Sequence, residues 1–207
     1  QYAHKVSKNH KRTCWVLKCD IRKFFASIDH EVLMEIIKKY ISDAAVIWLI
    51  SCIVKSFYST RIGVGMPLGN LTSQLFANIY MNELDQFVKH KLKARFYVRY
   101  ADDFVMFSQD REWLMNLIPK IQDFLKNQLK LNLHPDKIII KTIASGVDFL
   151  GWVNFSDHRV LRIATKRRML AKIKIRQAPE TINSYKGLLG YGNTHNITTQ
   201  FCANRST

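Results

Sequence analysis

Two adjacent acidic residues between two short apolar runs constrain the fold of this chain more than any other feature. Asp102 and Asp103 lie between residues 96–100 and 104–107, and both flanking runs are rich in aromatic and branched side chains. Ala101 is the only other residue between the runs, and this spacing predicts a tight β-hairpin. Two carboxylates at the tip repel each other unless a cation lies near, but aspartate is also common in turns for backbone reasons. The pair alone leaves a metal-binding turn and a solvated turn about equally open.

The first half of the chain shows strand periodicity followed by helical periodicity. Residues 15–19 are an apolar run of strand formers that ends at Asp20. Apolar residues recur at helical spacing over residues 30–40 and 44–58, and we expect the second of these helices to be the more buried. Residues 61–70 contain three glycines and a proline, which predicts a loop.

A long helix is predicted after this loop, with Thr72 or Ser73 as its cap. Its buried stripe is expected to consist of Leu75, Phe76, Ile79, Tyr80, Leu84, Phe87 and Val88. Residues 112–131 are also helical by period, although Pro119 can kink this helix or shift its start. Residues 137–143 form a β-branched strand by composition.

The remaining elements complete an α+β fold. Residues 147–155 and 159–163 predict a further hairpin with its turn at 156–158, and helices are predicted near 165–177 and 180–189. The order strand, helices, hairpin, helix, strand predicts a split βαβ, ferredoxin-like antiparallel sheet with helices on one face. In that layout the acid that ends the first strand and the two acids of the hairpin meet at one edge of the sheet.

The composition of the chain limits the classes of molecule that it is expected to bind. The chain has 32 lysines and arginines against 16 aspartates and glutamates, a formal net charge of +16. This surplus favours nucleic acid first and an anionic membrane second, although a basic but ordinary soluble protein stays open. The longest apolar run, residues 44–54, is about half the roughly 20 residues of a spanning helix, so no membrane partner is expected. The scattered cysteines (Cys14, Cys19, Cys52, Cys202) predict reduced thiols in the cytoplasm.

Five segments resemble, in order, motifs of the reverse transcriptase family. Residues 17–25 (LKCDIRKFF) resemble the first palm motif, and residues 65–74 (GMPLGNLTSQ) resemble the loop-and-helix motif that contacts template and nucleotide. Residues 100–103 (YADD) resemble the tyrosine-x-Asp-Asp motif, 133–137 (LHPDK) the lysine-bearing fourth motif, and 149–152 (FLGW) the primer-grip hairpin. The resemblance implies a polymerase palm followed by a primer-grip hairpin and the start of a helical thumb.

The resemblance also implies domain boundaries. Residues 1–13 would end the fingers region, 14–146 would form the palm, 147–164 the primer-grip hairpin and 165–207 a partial thumb. Because the chain starts without methionine inside a basic segment, we expect it to be a fragment that lacks most of the fingers. Such a fragment is expected to be weakly active by itself.

By resemblance, the acidic residues would hold two Mg²⁺ ions, with Mn²⁺ as a possible substitute. Asp20 and Asp102 would be the main ligands, the backbone carbonyl of Ile21 would help, and Asp103 would bind metal or the primer end. Mg²⁺ prefers such carboxylates together with phosphates and water. Lys137 matches the general acid that protonates pyrophosphate, although a lone lysine before a strand is more often a solvated charge.

The nucleotide-binding residues implied by the resemblance are Phe25, Leu68, Gly69, Ser73 and Gln74. Phe25 matches the steric gate against a ribose 2′-hydroxyl; the alternative, a core aromatic, is expected of the phenylalanine before it. Leu68 offers only apolar contact where many relatives carry glutamine, so we hypothesise low-fidelity copying. The alternative is that Leu68 packs beneath the loop.

Contacts to primer and template are expected from the Tyr-Ala-Asp-Asp turn, the primer-grip hairpin and the basic run that follows. The residues implied are Tyr100, Leu150, Gly151, Trp152, Arg167 and Arg168. Residues 159–176 contain eight lysines and arginines and no acid, a run that suits phosphate contacts but is also typical of a solvated helix face. His30 and His134 show no metal-ligand spacing and are expected to make local hydrogen bonds.

Within the family the chain looks most like the reverse transcriptases of diversity-generating retroelements. Leu68 and Gln74 separate it from intron and retron enzymes, which usually carry Gln and Pro there, and residues 184–190 resemble the thumb of the same group. The implied activity is RNA-directed DNA synthesis from deoxynucleoside triphosphates, with a template RNA, a DNA or RNA primer and a small basic accessory protein as partners. The alternatives are an intron, retron or phage-defence reverse transcriptase, or a non-catalytic palm-fold RNA-binding protein.

Overall fold

The computed structural model describes residues 1–175 and 179–193. The chain forms two compact units, one of residues Trp15–Ile140 and one of Gln1–Cys14 together with the described residues from Lys141 onward. Arg176 and Gln177, which belong to the predicted basic run and to the end of a predicted helix, lie outside the described residues. Within the described part of the chain, every helix is too short or too polar to traverse a lipid bilayer.

A four-stranded sheet organises the larger unit. Its strands are β1 (Trp15–Asp20), β2 (Tyr97–Tyr100), β3 (Asp103–Ser108) and β4 (Ile139–Thr142). Of β4, Ile139 and Ile140 belong to the larger unit. The strands lie in the order β2-β3-β1-β4, and β3 is antiparallel to both β1 and β2. This is the strand order of the predicted split βαβ, ferredoxin-like sheet.

Helices fill the connections between these strands. They are α2 (Phe24–Ser27), α3 (His30–Lys38), α4 (Ala44–Lys55) and α5 (Leu71–Gln86) between β1 and β2, and α6 (Arg111–Leu129) between β3 and β4. A π-helical turn, Phe87–Lys91, extends α5, and a 3₁₀ turn, Pro135–Lys137, precedes β4.

Alternation along β1 separates the core from the opposite face of the sheet. Leu17 and Cys19 are fully buried and pack with Phe104 and Met106 of β3. Side chains of α3, α5 and α6 complete the same cluster, so the prediction of helices on one face is confirmed. Since successive side chains of a strand point to opposite faces, Asp20, like the residue two before it, lies on the face away from these helices.

The prediction that α4 is the more buried helix is wrong. α4, all of which lies in the described part of the chain, buries a single side chain, that of Val54. Trp48 and Leu49 are 68% and 54% exposed. The helix packs against α3 along one edge, and an apolar composition does not specify which element covers the remaining faces.

Two details of α5 also differ from prediction, whereas α6 tolerates its proline. The cap of α5 is Asn70, not Thr72 or Ser73, because the side-chain oxygen of Asn70 accepts hydrogen bonds from the Thr72 amide (3.1 Å) and hydroxyl (2.8 Å). Leu75, expected in the buried stripe, is 57% exposed.

α6 continues through Pro119, since its apolar face stays buried on both sides of that residue.

The smaller unit contains an antiparallel three-stranded sheet. Its strands are β5 (Val147–Phe149), β6 (Trp152–Asn154) and β7 (Arg159–Leu161), in the order β5-β6-β7. Residues 147–155 are therefore not one strand as predicted, because Leu150 and Gly151 adopt positive φ angles (+54° and +81°) that form a two-residue turn.

The helices of the smaller unit are α1 (Tyr2–Val6), α7 (Ile163–Ile175) and α8 (Pro179–Leu189), and the last two match the predicted helices to within a few residues. A small cluster of buried side chains joins the sheet to α7 and α8. Its members are Trp152, Leu161, Met169 and Leu189.

Candidate active site

The three acidic residues meet at one edge of the larger unit's sheet. Asp20 is the last residue of β1, and its Cα partner across the strands is Asp103, the first residue of β3. Ala101 and Asp102 form the two-residue turn between β2 and β3. The amide of Ile21 donates to the carbonyl oxygen of Asp102 at 3.2 Å. Acids that are about 80 residues apart in sequence are therefore neighbours in space.

Two lysines neutralise two of these carboxylates. Lys137 places its Nζ 3.0 Å from both carboxylate oxygens of Asp20, and Lys18 places its Nζ 3.1 Å from Oδ2 of Asp103. The structure thus brings the predicted Lys137 to the acids. Lys18 belongs to none of the predicted site residues, although its position two residues before Asp20 puts it on the same strand face.

Burial and mutual repulsion disfavour negative charge on the two hairpin acids. Burial raises the pKa of Asp102, and the Asp20 carboxylate adds to the increase. Burial also raises the pKa of Asp103, with Lys18 opposing the shift and the carboxylates of Asp20 and Asp102 supporting it. More positive charge at this edge would therefore stabilise the ionised acids.

One atom of the site fits a metal ion in particular. Oδ1 of Asp103 is buried, and no described residue gives it a hydrogen bond, so it has a free lone pair of the hard oxygen type that Mg²⁺ prefers. Within the described residues, however, no three His, Cys, Asp or Glu side chains are close enough to hold an ion by themselves. Asp20 and Asp103 each face a lysine instead.

An arginine stabilises the turn that carries Asp102 by a hydrogen bond to its backbone. Arg99 on β2 donates from Nη1 to the carbonyl oxygen of Ala101 at 3.0 Å, and Ala101 has a φ angle of +52°. The guanidinium is held by Asp85 of α5, at 2.8 Å from Nε and 2.7 Å from Nη2, and Tyr97 donates to the same carboxylate at 2.8 Å. Arg99 is not among the predicted site residues; its sequence signal is a charged residue within an apolar strand next to the turn.

The predicted nucleotide-binding residues occupy different environments. Phe25 is half-buried and packs edge-on against the fully buried ring of the preceding phenylalanine. Leu68 is 79% exposed, which excludes the alternative that it packs beneath the loop. Gly69, with a φ angle of +83°, and Gln74 are also exposed. Ser73 is buried, and its hydroxyl has no hydrogen-bond partner within the described residues.

The predicted primer and template residues are divided between the two units. Tyr100 of the larger unit is 65% exposed. In the smaller unit, Leu150 is half-exposed at the β5–β6 turn with Gly151, whereas Trp152 is buried. The exposed basic side chains Arg167 and Arg168 lie on α7.

Two members of the basic run interact within the smaller unit itself. Arg159 lies over the rings of Trp152 and Tyr191, with its guanidinium 5.1 Å and 5.8 Å from the ring centroids. Arg162 pairs with Asp148 at 3.0 Å. The run is therefore not a uniformly solvated face.

The prediction of a local hydrogen bond is confirmed for His134, whose Nδ1 accepts from the Asp136 amide at 3.3 Å. It is wrong for His30, because Nε2 of that ring lies 2.7 Å from the carbonyl oxygen of Gly65, 35 residues further along the chain.

Solved structures define the fold as that of a polymerase palm. The chain matches the telomerase of Candida tropicalis with a TM-score of 0.64 at 12% sequence identity, over 81% of this chain and 36% of the other. It matches the telomerase of Candida albicans, solved with a fragment of telomeric RNA, with a TM-score of 0.59 at 12% identity, over 91% and 40%. Identities this low establish the fold alone.

Sequence comparison establishes the family. Residues 2–153 match the family described as "Reverse transcriptase (RNA-dependent DNA polymerase)", and the chain belongs to the reverse transcriptase family. It is 28% identical to protein YkfC of Escherichia coli K12, over 72% of this chain and 47% of YkfC. It is 26% identical to the group II intron-encoded protein LtrA of Lactococcus lactis subsp. cremoris, over 78% and 37%. The chain thus spans less than half the length of either relative.

Proposed function

We propose that this chain carries the polymerising site of an RNA-directed DNA polymerase that extends a DNA or RNA primer on a template RNA. The proposal rests on one observation: Asp20, Asp102 and Asp103 lie next to one another at one sheet edge, in a chain that belongs to the reverse transcriptase family. The net charge of +16 suits a template–primer duplex.

The three carboxylates would hold two Mg²⁺ ions, with Mn²⁺ as a substitute and the Ile21 carbonyl as a further ligand. Such ions, when bound, activate a primer 3′-hydroxyl and stabilise the leaving pyrophosphate. The buried, unpartnered Oδ1 of Asp103 and the raised pKa values of the hairpin acids support this assignment.

Lys137 would donate a proton to the pyrophosphate. Its side chain is 52% exposed and contacts both carboxylate oxygens of Asp20, so it can turn toward a bound triphosphate without leaving a buried cavity. The exchange is reasonable because an exposed ion pair contributes little stability. Lys18, with a side chain 18% exposed, would remain beside Asp103 as a fixed positive charge.

The loop of residues 66–74 would receive the incoming nucleotide opposite Phe25. The exposure of Leu68 supports a role at the nascent base pair and low-fidelity copying, as in a diversity-generating retroelement. Leu68→Gln is expected to lower misincorporation opposite template adenine, whereas Leu75→Gln, equally a change of an exposed leucine, should leave the error spectrum unchanged. An unaltered spectrum in the first variant would contradict the fidelity proposal.

Contacts with primer and template would come from Tyr100, the Leu150–Gly151 turn, Trp152 and the arginines at 167 and 168. Trp152, being buried, would act by supporting the turn rather than by touching the primer. A small basic accessory protein remains a prediction from the resemblance, and a cytoplasmic location remains a prediction from the scattered cysteines.

An intron or retron type of reverse transcriptase is the second candidate. One relative is named as a group II intron-encoded protein, whereas Leu68 and Gln74 favour the diversity-generating group. Sequencing the cDNA made by the protein distinguishes them, because errors concentrated at template adenines are expected only of the diversity-generating group.

The experiment that tests the polymerase is primer extension on an RNA template with Mg²⁺ and four deoxynucleoside triphosphates. Asp102→Asn should reduce extension at least about 100-fold by removing a metal ligand, and Lys137→Ala should reduce it about 100-fold by removing a proton donor. Asp123→Asn changes an exposed acid on α6 and should have no effect. If the full-length natural protein binds RNA in a gel-shift assay but extends no primer, the outcome favours the alternative of an RNA-binding protein without polymerase activity.

A further inference from the structure

Residues 25–30, here called the gate segment because they begin with Phe25, lie antiparallel beside residues 63–66, the loop segment. Three backbone hydrogen bonds join them: Met66 to the carbonyl of Phe25 (2.7 Å), Gly65 to that of Ile28 (2.8 Å) and His30 to that of Gly63 (2.9 Å). The loop segment leads directly into the predicted nucleotide-binding loop. The place of this loop relative to Phe25 is therefore set by the ladder between the two segments.

A buried histidine reinforces the ladder. The His30 ring is 5% exposed, and its Nε2 lies 2.7 Å from the carbonyl oxygen of Gly65. A carbonyl oxygen can only accept, so Nε2 carries the proton in this contact. Nδ1 is buried, and no described residue gives it a hydrogen bond. The ring is thus held by one directed contact to the loop segment.

The hydroxyl of Ser59 contacts the backbone of both segments. Oγ of Ser59 lies 2.7 Å from the carbonyl oxygen of Ala26 and 3.1 Å from that of Val64. Gly65 has a φ angle of +108°, and a Cβ at this position would lie 2.5 Å from the Ser59 hydroxyl. This close approach needs glycine, so hydroxyl and loop backbone are fitted to each other.

We infer that His30 and Ser59 are positioning residues that fix the loop segment against the gate segment and so define the pocket for the sugar and base of the incoming nucleotide. The inference rests on the proposed polymerase function. Both residues act through backbone atoms, those of Gly65 and Ala26, rather than by touching substrate. Losing either contact lets Phe25 and the loop move apart, which weakens nucleotide binding and widens the space beside the sugar.

The test is steady-state primer extension by the naturally expressed protein, with deoxy- and ribonucleoside triphosphates compared. His30→Ala should raise KM for the deoxynucleotide about tenfold with kcat changed less than about threefold, because positioning before chemistry is lost. Discrimination against ribonucleotides should fall by a similar factor. His30→Gln, whose amide nitrogen can replace Nε2 as donor, should restore both values to within about threefold.

Ser59→Ala is the milder second variant, in case His30→Ala fails to fold. Its matched control is Ser56→Ala, which removes an exposed 2.7 Å hydroxyl contact to the carbonyl oxygen of Ile53 in the last turn of α4. Amide hydrogen exchange at Gly65 and Met66 should accelerate about tenfold or more in Ser59→Ala and stay unchanged in the control.

The outcomes separate the two proposals. Absence of extension by the unaltered protein overturns the polymerase function itself. Normal extension by the unaltered protein, with His30→Ala and Ser59→Ala changing KM no more than kcat and leaving ribonucleotide discrimination intact, overturns the positioning role alone. Unchanged hydrogen exchange at Gly65 and Met66 also overturns it, whatever the activity.

Discussion

Replacing Arg99 with methionine tests whether the contacts of Arg99 with Asp85 and with the Ala101 carbonyl stabilise the turn that carries Asp102. Methionine keeps much of the apolar stem but removes the charge and all three donors that hold Asp85 and the Ala101 carbonyl. Among the hydrogen bonds given above, the Asp85 carboxylate would then keep the one from the Tyr97 hydroxyl.

The size of the effect follows from burial. Removing one partner of a fully buried ion pair costs about 3–5 kcal/mol, because it leaves an uncompensated charge. The Arg99 side chain is 9% exposed, but that of Asp85 is 22% exposed and keeps its hydrogen bond from Tyr97. We therefore expect a loss of about 2–3 kcal/mol in the free energy of unfolding, below the fully buried range because water reaches the carboxylate.

Urea denaturation followed by circular dichroism measures this loss, and a double-mutant cycle assigns it to the pair. Combining Arg99→Met with Asp85→Leu removes both charges, so the double variant should be more stable than the sum of the single losses predicts, by about 1.5–3 kcal/mol. Lys39→Met, which breaks the exposed pair with Glu83, should cost at most about 0.5 kcal/mol.

A loss below about 1 kcal/mol in Arg99→Met would refute the reasoning. Strict additivity in the cycle would do so as well, because it would mean that the guanidinium and the carboxylate do not depend on each other.

Three further changes have expected outcomes. Ala101→Gly should raise the free energy of unfolding by about 1 kcal/mol, because alanine at a φ angle of +52° is strained; the same urea titration shows the gain. Gly151→Ala, at a φ angle of +81°, should lower it by about 1 kcal/mol, and an equal or higher stability would contradict the turn geometry. Burial opposes ionisation of Asp29, but hydrogen bonds from Lys130 and the Val32 amide outweigh it and lower the pKa of Asp29. Its stabilisation should be complete above about pH 5 and vanish as pH falls through that lowered pKa, so stability measured against pH should be flatter there in Asp29→Asn.

The acidic edge could be predicted from the sequence because each part of it is encoded locally. A hairpin with three intervening residues and a strand ending at Asp20 are short-range patterns, and the βαβ order brings them to neighbouring strands. Which carboxylate a basic side chain contacts is not encoded by its neighbours in the sequence. The sequence marks Lys18 and Arg99 as charged residues within apolar strands but does not give their partners. Lys18 meets Asp103 through the register of β1 and β3, and Arg99 meets Asp85 through the placement of α5.

The errors in the fold prediction have the same origin. The apolar pattern of α4 indicates a helix but does not say what covers it, and Trp48 proved exposed. The turn at Leu150 was missed because leucine is an unusual residue at positive φ. Asn70 was overlooked as a cap since two hydroxyl residues that follow it are also good caps.

The alternation of buried and outward-facing residues from Leu17 to Asp20 determines how this part of the chain can change length. Adding or deleting one residue between Leu17 and Asp20 would exchange the two faces for every later position of the strand. An ammonium group or a carboxylate would enter the hydrocarbon interior, and Cys19 would turn outward. Insertions should therefore be excluded from β1 in functional variants.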